Sequence, residues 1–179
     1  MISHDSIAYI TRYILRDVAK LELFKERIVS FLPLSHIAGQ QLDIHSAIGL
    51  GSTVYFAQPD ALKGSLLKTI KEVRPTFIFG VPRIWEKMQD GVQKKIDSLS
   101  GIKLKLFEWA RSAATAHINY CFNGGNPNSY FNVSYNLAWY LVLNKIHQEL
   151  GLDQCRNVFS GAAPIMKETL EFFVSLGIP

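Results

Sequence analysis

An α/β fold is predicted, with mostly parallel strands alternating with helices. Short apolar or β-branched runs at 27–32, 52–57, 76–79 and 156–159 read as strands. The segments between them carry apolar residues at helical spacing. A strand–helix–strand alternation implies parallel βαβ units.

Ser3 to Asp5 reads as a helix start, with Ile7, Ile10, Ile14 and Val18 following at helical spacing. The first strand, Arg27 to Leu32, stops at Pro33, which cannot donate a ladder hydrogen bond. His36 to Ile48 reads as a helix ended by Gly49 and Gly51. After the strand Ser52 to Ala57, Asp60 is expected to cap a helix reaching Val73, with Leu62, Leu66, Leu67 and Ile70 turned inward and Pro75 as breaker. Thr76 to Phe79 is the third strand. Pro82 suits the first turn of the helix that follows.

Two longer helices are expected at Ile102 to Asn119 and Val133 to Leu150. The first turns Leu106, Phe107, Ala110, Ala113, Ala114 and Ile118 inward, and the second Tyr135, Ala138, Trp139, Val142 and Ile146. A Gly- and Asn-rich loop, Asn123 to Asn128, joins them. Arg156 to Phe159 is the last strand, followed by the tight Gly161–Pro164 loop and a helix, Lys167 to Leu176, closed by Gly177.

Composition bounds the function classes. The 179 residues are 48% hydrophobic and 19% charged with net charge +4, which excludes a disordered chain. Basic residues concentrate between Lys63 and Arg111 at helical spacing, as on a solvated face. With no nucleic-acid-binding signature beside them, they do not argue for nucleic acid. Cys121 and Cys155 are far apart and the five histidines lack metal-ligand spacing, so no metal site is expected. That cysteine usage suits a reducing compartment, hence a cytoplasmic location. The longest apolar run, Leu137 to Leu143, falls far short of the roughly 20 residues a membrane span needs. Peripheral membrane contact is compatible with this reading.

Phe31-Leu32-Pro33-Leu34-Ser35-His36-Ile37-Ala38-Gly39 resembles the LPLxHxxG segment of acyl-adenylate-forming enzymes. Tyr55 to Gly64, YFAQPDALKG, is similar to the bubblegum group of long-chain fatty acyl-CoA synthetases. Gly80 to Lys87 matches the family's GVPRxWEK segment, and Ser160-Gly161-Ala162-Ala163-Pro164 its SGxAP loop. Met1 to Asp5 resembles the run that follows the phosphate loop in this family. The five segments are collinear and cover essentially the whole chain.

The resemblance implies a partial N-terminal domain of an adenylate-forming enzyme. Residues 1–179 are expected to be a central slice of the AMP-binding domain, with phosphate loop, adenine segment and C-terminal domain outside it. It implies a parent ligase that activates a long-chain fatty acid with ATP as acyl-AMP and passes the acyl group to coenzyme A. Mg2+ would assist, and the slice alone is expected to be inactive. By the same resemblance His36 is the catalytic candidate, near the reacting carboxylate and α-phosphate. Ser160, Gly161, Ala162, Ala163 and Pro164 are expected against the nucleotide, and Val81, Pro82 and Trp85 along the acyl tunnel. A truncated non-catalytic product and another adenylate-forming ligase are the alternatives.

Overall fold

The computed structural model describes residues 2–126 and 132–178. The strands are β1 (Arg27–Ser30), β2 (Thr53–Phe56), β3 (Phe77–Gly80) and β4 (Asn157–Ser160). β1 pairs with β2 in parallel, Arg27 opposite Thr53 and Ser30 opposite Phe56. β3 pairs with β4. The bonds from Arg156 N to Thr76 O and from Gly161 N to Gly80 O advance along both chains together, so this pair is parallel too.

The chain divides into two compact units. One comprises Met1–Ile78 with Leu150–Asn157, the other Phe79–Glu149 with Val158–Pro179. In the first unit the N-terminal ends of all four strands are joined by backbone bonds. Thr53 N donates to Glu26 O at 2.8 Å, Thr76 N to Arg27 O at 3.1 Å and Arg156 N to Thr76 O at 2.8 Å. The strands therefore begin in the order β2-β1-β3-β4.

Charged groups hold that row. The Glu26 side chain is fully buried and accepts from Arg156 at 2.7 Å and from Glu22 N at 2.7 Å. Thr76 Oγ1 also donates to Glu26 and accepts from Arg27 N at 2.9 Å. Arg74, in a left-handed backbone conformation, pairs with Asp153, and its carbonyl accepts from the Arg27 guanidinium. Gly151 has φ +71, and a Cβ there would stand 2.6 Å from Ile70 O, so only glycine lets the chain pass this close.

The second unit is mainly helical, with helices Pro82–Asp97, Gly101–Phe122 and Lys167–Ser175. A long helical stretch runs through Val133–Ala138, Trp139–Leu143 and Asn144–Leu150. Ala110, Ala114, Ala138 and Leu143 are fully buried between the long helices, flanked by Trp109, Tyr135 and Trp139. Small side chains let the helix backbones approach closely there.

Several sequence expectations are corrected. The helix expected from Asp60 is a 3-10 turn, Ala61–Lys63, then Gly64 at φ +154, then a helix only from Leu66 to Val73. Asp60 instead accepts from Ser65 Oγ at 2.7 Å, and Leu62 is exposed. Gly49 lies within the helical stretch ending at Leu50, and Gly51, at φ +65, terminates it. On the helical stretch 133–150 Tyr135, Ala138, Trp139 and Val142 lie in or against the core as expected, and Leu143, His147 and Leu150 are buried besides. The five-residue step from 138 to 143 coincides with a π-helical segment, Trp139–Leu143, whose i→i+5 bonding displaces the expected period. At the N-terminus the buried side is Thr11, Leu15 and Ala19, while Ile14 is exposed. Residues 127 and 128 of the expected loop lie outside the described residues.

Candidate functional site

In the first unit the segment after β1 turns sharply. His36 N donates to Pro33 O at 2.9 Å, closing a turn over Leu34 and Ser35. The following helix folds back on that turn. A Cβ at Gly39 would lie 2.6 Å from Pro33 O and 3.3 Å from Leu32 O, which explains why proline and glycine flank this motif.

His36 caps the helix. Its backbone is extended, and Ala38 N donates to its Nδ1 at 3.1 Å. With Nδ1 as acceptor, the neutral ring carries its hydrogen on Nε2. The exposed side chain therefore offers an outward N–H donor without needing to be protonated. Ser35 and His36 sit in a turn rather than on a strand.

Behind this turn, Ser30 Oγ donates to Asp43 Oδ2 at 2.6 Å. Burial pushes the Asp43 carboxyl above its ordinary range, and the Ser30 hydrogen bond partly offsets that. Sequence reasoning overlooked this buried pair. An acid at the centre of a helix expected to be amphipathic was the available signal.

In the second unit the GVPRIWEK and SGAAP segments meet at one carbonyl. Gly80 O, at the end of β3, accepts from Trp85 Nε1 at 3.2 Å and from Gly161 N at 3.3 Å. Trp85 is 2% exposed, and its indole stands edge-on to Phe173 at 5.5 Å. A Cβ at Gly80 would reach the indole at 3.0 Å, and one at Gly161 would meet the Phe79 ring at 2.8 Å. Both glycines are thus fixed by aromatic neighbours.

Ala162 has φ +69, an uncommon conformation for a residue with a side chain. Ser160, Ala162, Ala163 and Pro164 are exposed, so this loop presents small side chains and backbone to its surroundings. Pro82 is buried in the first turn of its helix, and Val81 is half-buried. Trp85, Val81, Pro82 and the 160–164 loop are therefore assembled within one unit. His36 belongs to the other.

The AMP-binding enzyme family matches residues 1–179. The chain belongs to the AMP-binding enzyme family. It is 46% identical to the long-chain-fatty-acid–CoA ligase ACSBG2 of Homo sapiens, over 100% of this chain and 26% of the relative. It is 43% identical to ACSBG1 of Homo sapiens, over 99% of this chain and 24% of that ligase. The chain thus spans about a quarter of the length of the curated relatives it matches.

Among solved structures, the adenylation domain of a carboxylate reductase from Mycobacterium chelonae superposes with a TM-score of 0.56 at 24% identity. It covers 85% of this chain and 19% of that one. An A-PCP didomain of a carboxylic acid reductase from Segniliparus rugosus, solved in complex with AMP, gives 0.55 at 20% identity, covering 99% of this chain and 20% of that one. These superpositions show a fold shared with about a fifth of each of those chains, in agreement with the α/β expectation of a partial domain. Among the described residues, no helix is long and apolar enough to cross a membrane.

Proposed function

We propose that residues 1–179 form a central slice of the adenylation domain of a long-chain fatty acid–CoA ligase. In this reaction a fatty carboxylate oxygen attacks the α-phosphorus of ATP and pyrophosphate leaves. The coenzyme A thiol then displaces AMP from the acyl carbonyl. The observation that carries the reading is 46% identity to a ligase of this kind over 100% of this chain.

The geometry supports separate roles. The outward Nε2–H of His36 suits a donor to the charge developing on the carboxylate and α-phosphate. The exposed small residues from Ser160 to Pro164 suit close approach of a flat base. Half-buried Val81 suits the wall of an acyl tunnel, with buried Pro82 and Trp85 packed behind it.

The fit to the remaining groups is partial. Among the described residues, no group of three or more His, Cys, Asp or Glu could hold a metal ion. Mg2+ and coenzyme A are assigned to the enzyme as a whole. A cytoplasmic location with peripheral membrane contact fits the same reading.

The test replaces the matching quarter of human ACSBG2 with this chain and measures palmitate-dependent ATP–pyrophosphate exchange. The chimera is expected to exchange, to lose most of that activity on His36→Ala, and the 179-residue chain alone to show none. A folded chimera without exchange would overturn the reading.

A further inference from the structure

A second cluster in the second unit takes no part in that chemistry. Cys121 and His117 lie one turn apart on the helix Gly101–Phe122, with Sγ 3.7 Å from Nε2. His117 Nδ1 lies 2.8 Å from Asn132 Oδ1. A carbonyl oxygen only accepts, so Nδ1 carries the ring hydrogen and Nε2 turns its lone pair to the sulfur. The Cys121 thiol then donates to the imidazole. Tyr135 stacks on the ring at 4.0 Å and 6°, which fixes its plane. Asn132 is 4% exposed, whereas Cys121 is only half-buried and open to a small reagent.

Thiol, imidazole and orienting amide carbonyl in this sequence of bonds make an activated nucleophile. We propose that Cys121 is a covalent modification site, activated by His117 and oriented through Asn132, that exchanges with small-molecule disulfides. The Cys121 proton passes to His117 Nε2 and the sulfur attacks one sulfur of the disulfide. The old S–S bond breaks as the new one to Cys121 forms. The departing thiolate takes the proton from the imidazolium, which restores the pair. Asn132 is a positioning residue that acts through His117.

Cys155 provides an internal reference. Its thiol donates to Asn157 O at 3.3 Å, and burial pushes it up to about 12. From the neighbouring helix Tyr135 faces the imidazole. Burial, then the charge of Cys121, pushes its phenol up, so it stays neutral through the range tested.

The experiment treats the chain with glutathione disulfide and follows adducts by intact and peptide mass. One adduct is expected, on Cys121, forming about 10-fold faster at pH 7 than on a cysteine-containing peptide. The rate should change little between pH 7 and 8.5. His117→Ala should slow it about 10-fold and restore the steep rise with pH of an ordinary thiol. Asn132→Ala should do so more weakly. First modification at Cys155, a wild-type rate that climbs with pH like the peptide's, or an undiminished rate in a folded His117→Ala variant would each overturn the proposal. If His117→Ala does not fold, the wild-type pH profile decides alone. Because the readout is thiol exchange, it is independent of any ligase activity.

Discussion

The two units are held by different physics. In the first, charged and polar groups from distant stretches of chain meet at the N-terminal ends of the strands, around the buried Glu26 carboxylate and its partners Arg156 and Thr76. In the second, helices close over alanines and aromatic rings, with Ala110, Ala114 and Ala138 fully buried. The first arrangement depends on pairing and tolerates little loss of a partner. The second depends on volume and tolerates little gain or loss of it.

Substitutions that act on one kind of physics and spare the other break or sharpen this contrast. Trp85→Ala should give the largest loss, about 4 kcal/mol in urea unfolding, since it removes a ring 2% exposed and leaves Gly80 O with one donor fewer. Trp85→Phe should recover most of that. Equal losses for both would mean that the hydrogen bond, not the packing, matters.

Arg156→Ala should cost about 3 kcal/mol, because the Glu26 carboxylate stays buried after its cationic partner is gone. A loss well below 1 kcal/mol would show that Thr76 and the Glu22 amide suffice, and the contrast between the units would weaken. Ala114→Leu should cost about 2 kcal/mol by overpacking the helix contact. Little or no loss would mean the second unit has slack that its alanines do not suggest.

The smallest effects are in pH dependence, and two carboxyls of the first unit have opposite signs. Asp153 is held below its ordinary value of 3.8, chiefly by the hydrogen bond from Arg74. Its contribution is present above 3.8 and lost as pH falls through its folded value. Asp43 is raised by burial, so it costs stability as pH climbs from 3.8 through its folded value. Urea midpoints between pH 3 and 6 should therefore lose part of their acid-side fall in Asp153→Asn. In Asp43→Asn they should lose part of the opposing decline. The same slope in both variants as in wild type would show that neither pair is formed in solution.

The strands were legible because each is a short apolar run beside a turn residue, and they stand within about two residues of where the pattern puts them. The turn at Pro33–Gly39 was legible for a similar local reason: proline stops the strand, and glycine alone fits beneath Pro33 O. The helix start at Asp60 was misplaced because Gly64 interrupts an otherwise helical run. On residues 133–150 Tyr135, Ala138, Trp139 and Val142 were read correctly as inward, but buried Leu143 and His147 were missed because no apolar pattern announces a π-helical segment. Of the site, the motif segments could be read directly. The Ser30–Asp43 pair and the His117–Asn132 contact could not: an acid inside an apolar helical pattern and a histidine one turn before a cysteine are hints, but their partners Ser30 and Asn132 lie 13 and 15 residues away.

Local order along this chain, and its family, follow from the amino acids in succession, because turn chemistry and helical period act over a few residues. Which strands begin side by side, which alanines face each other and which amide orients His117 were decided only in three dimensions. Those contacts join residues far apart in the chain, and nothing at either position encodes the distance between them until the backbone has folded.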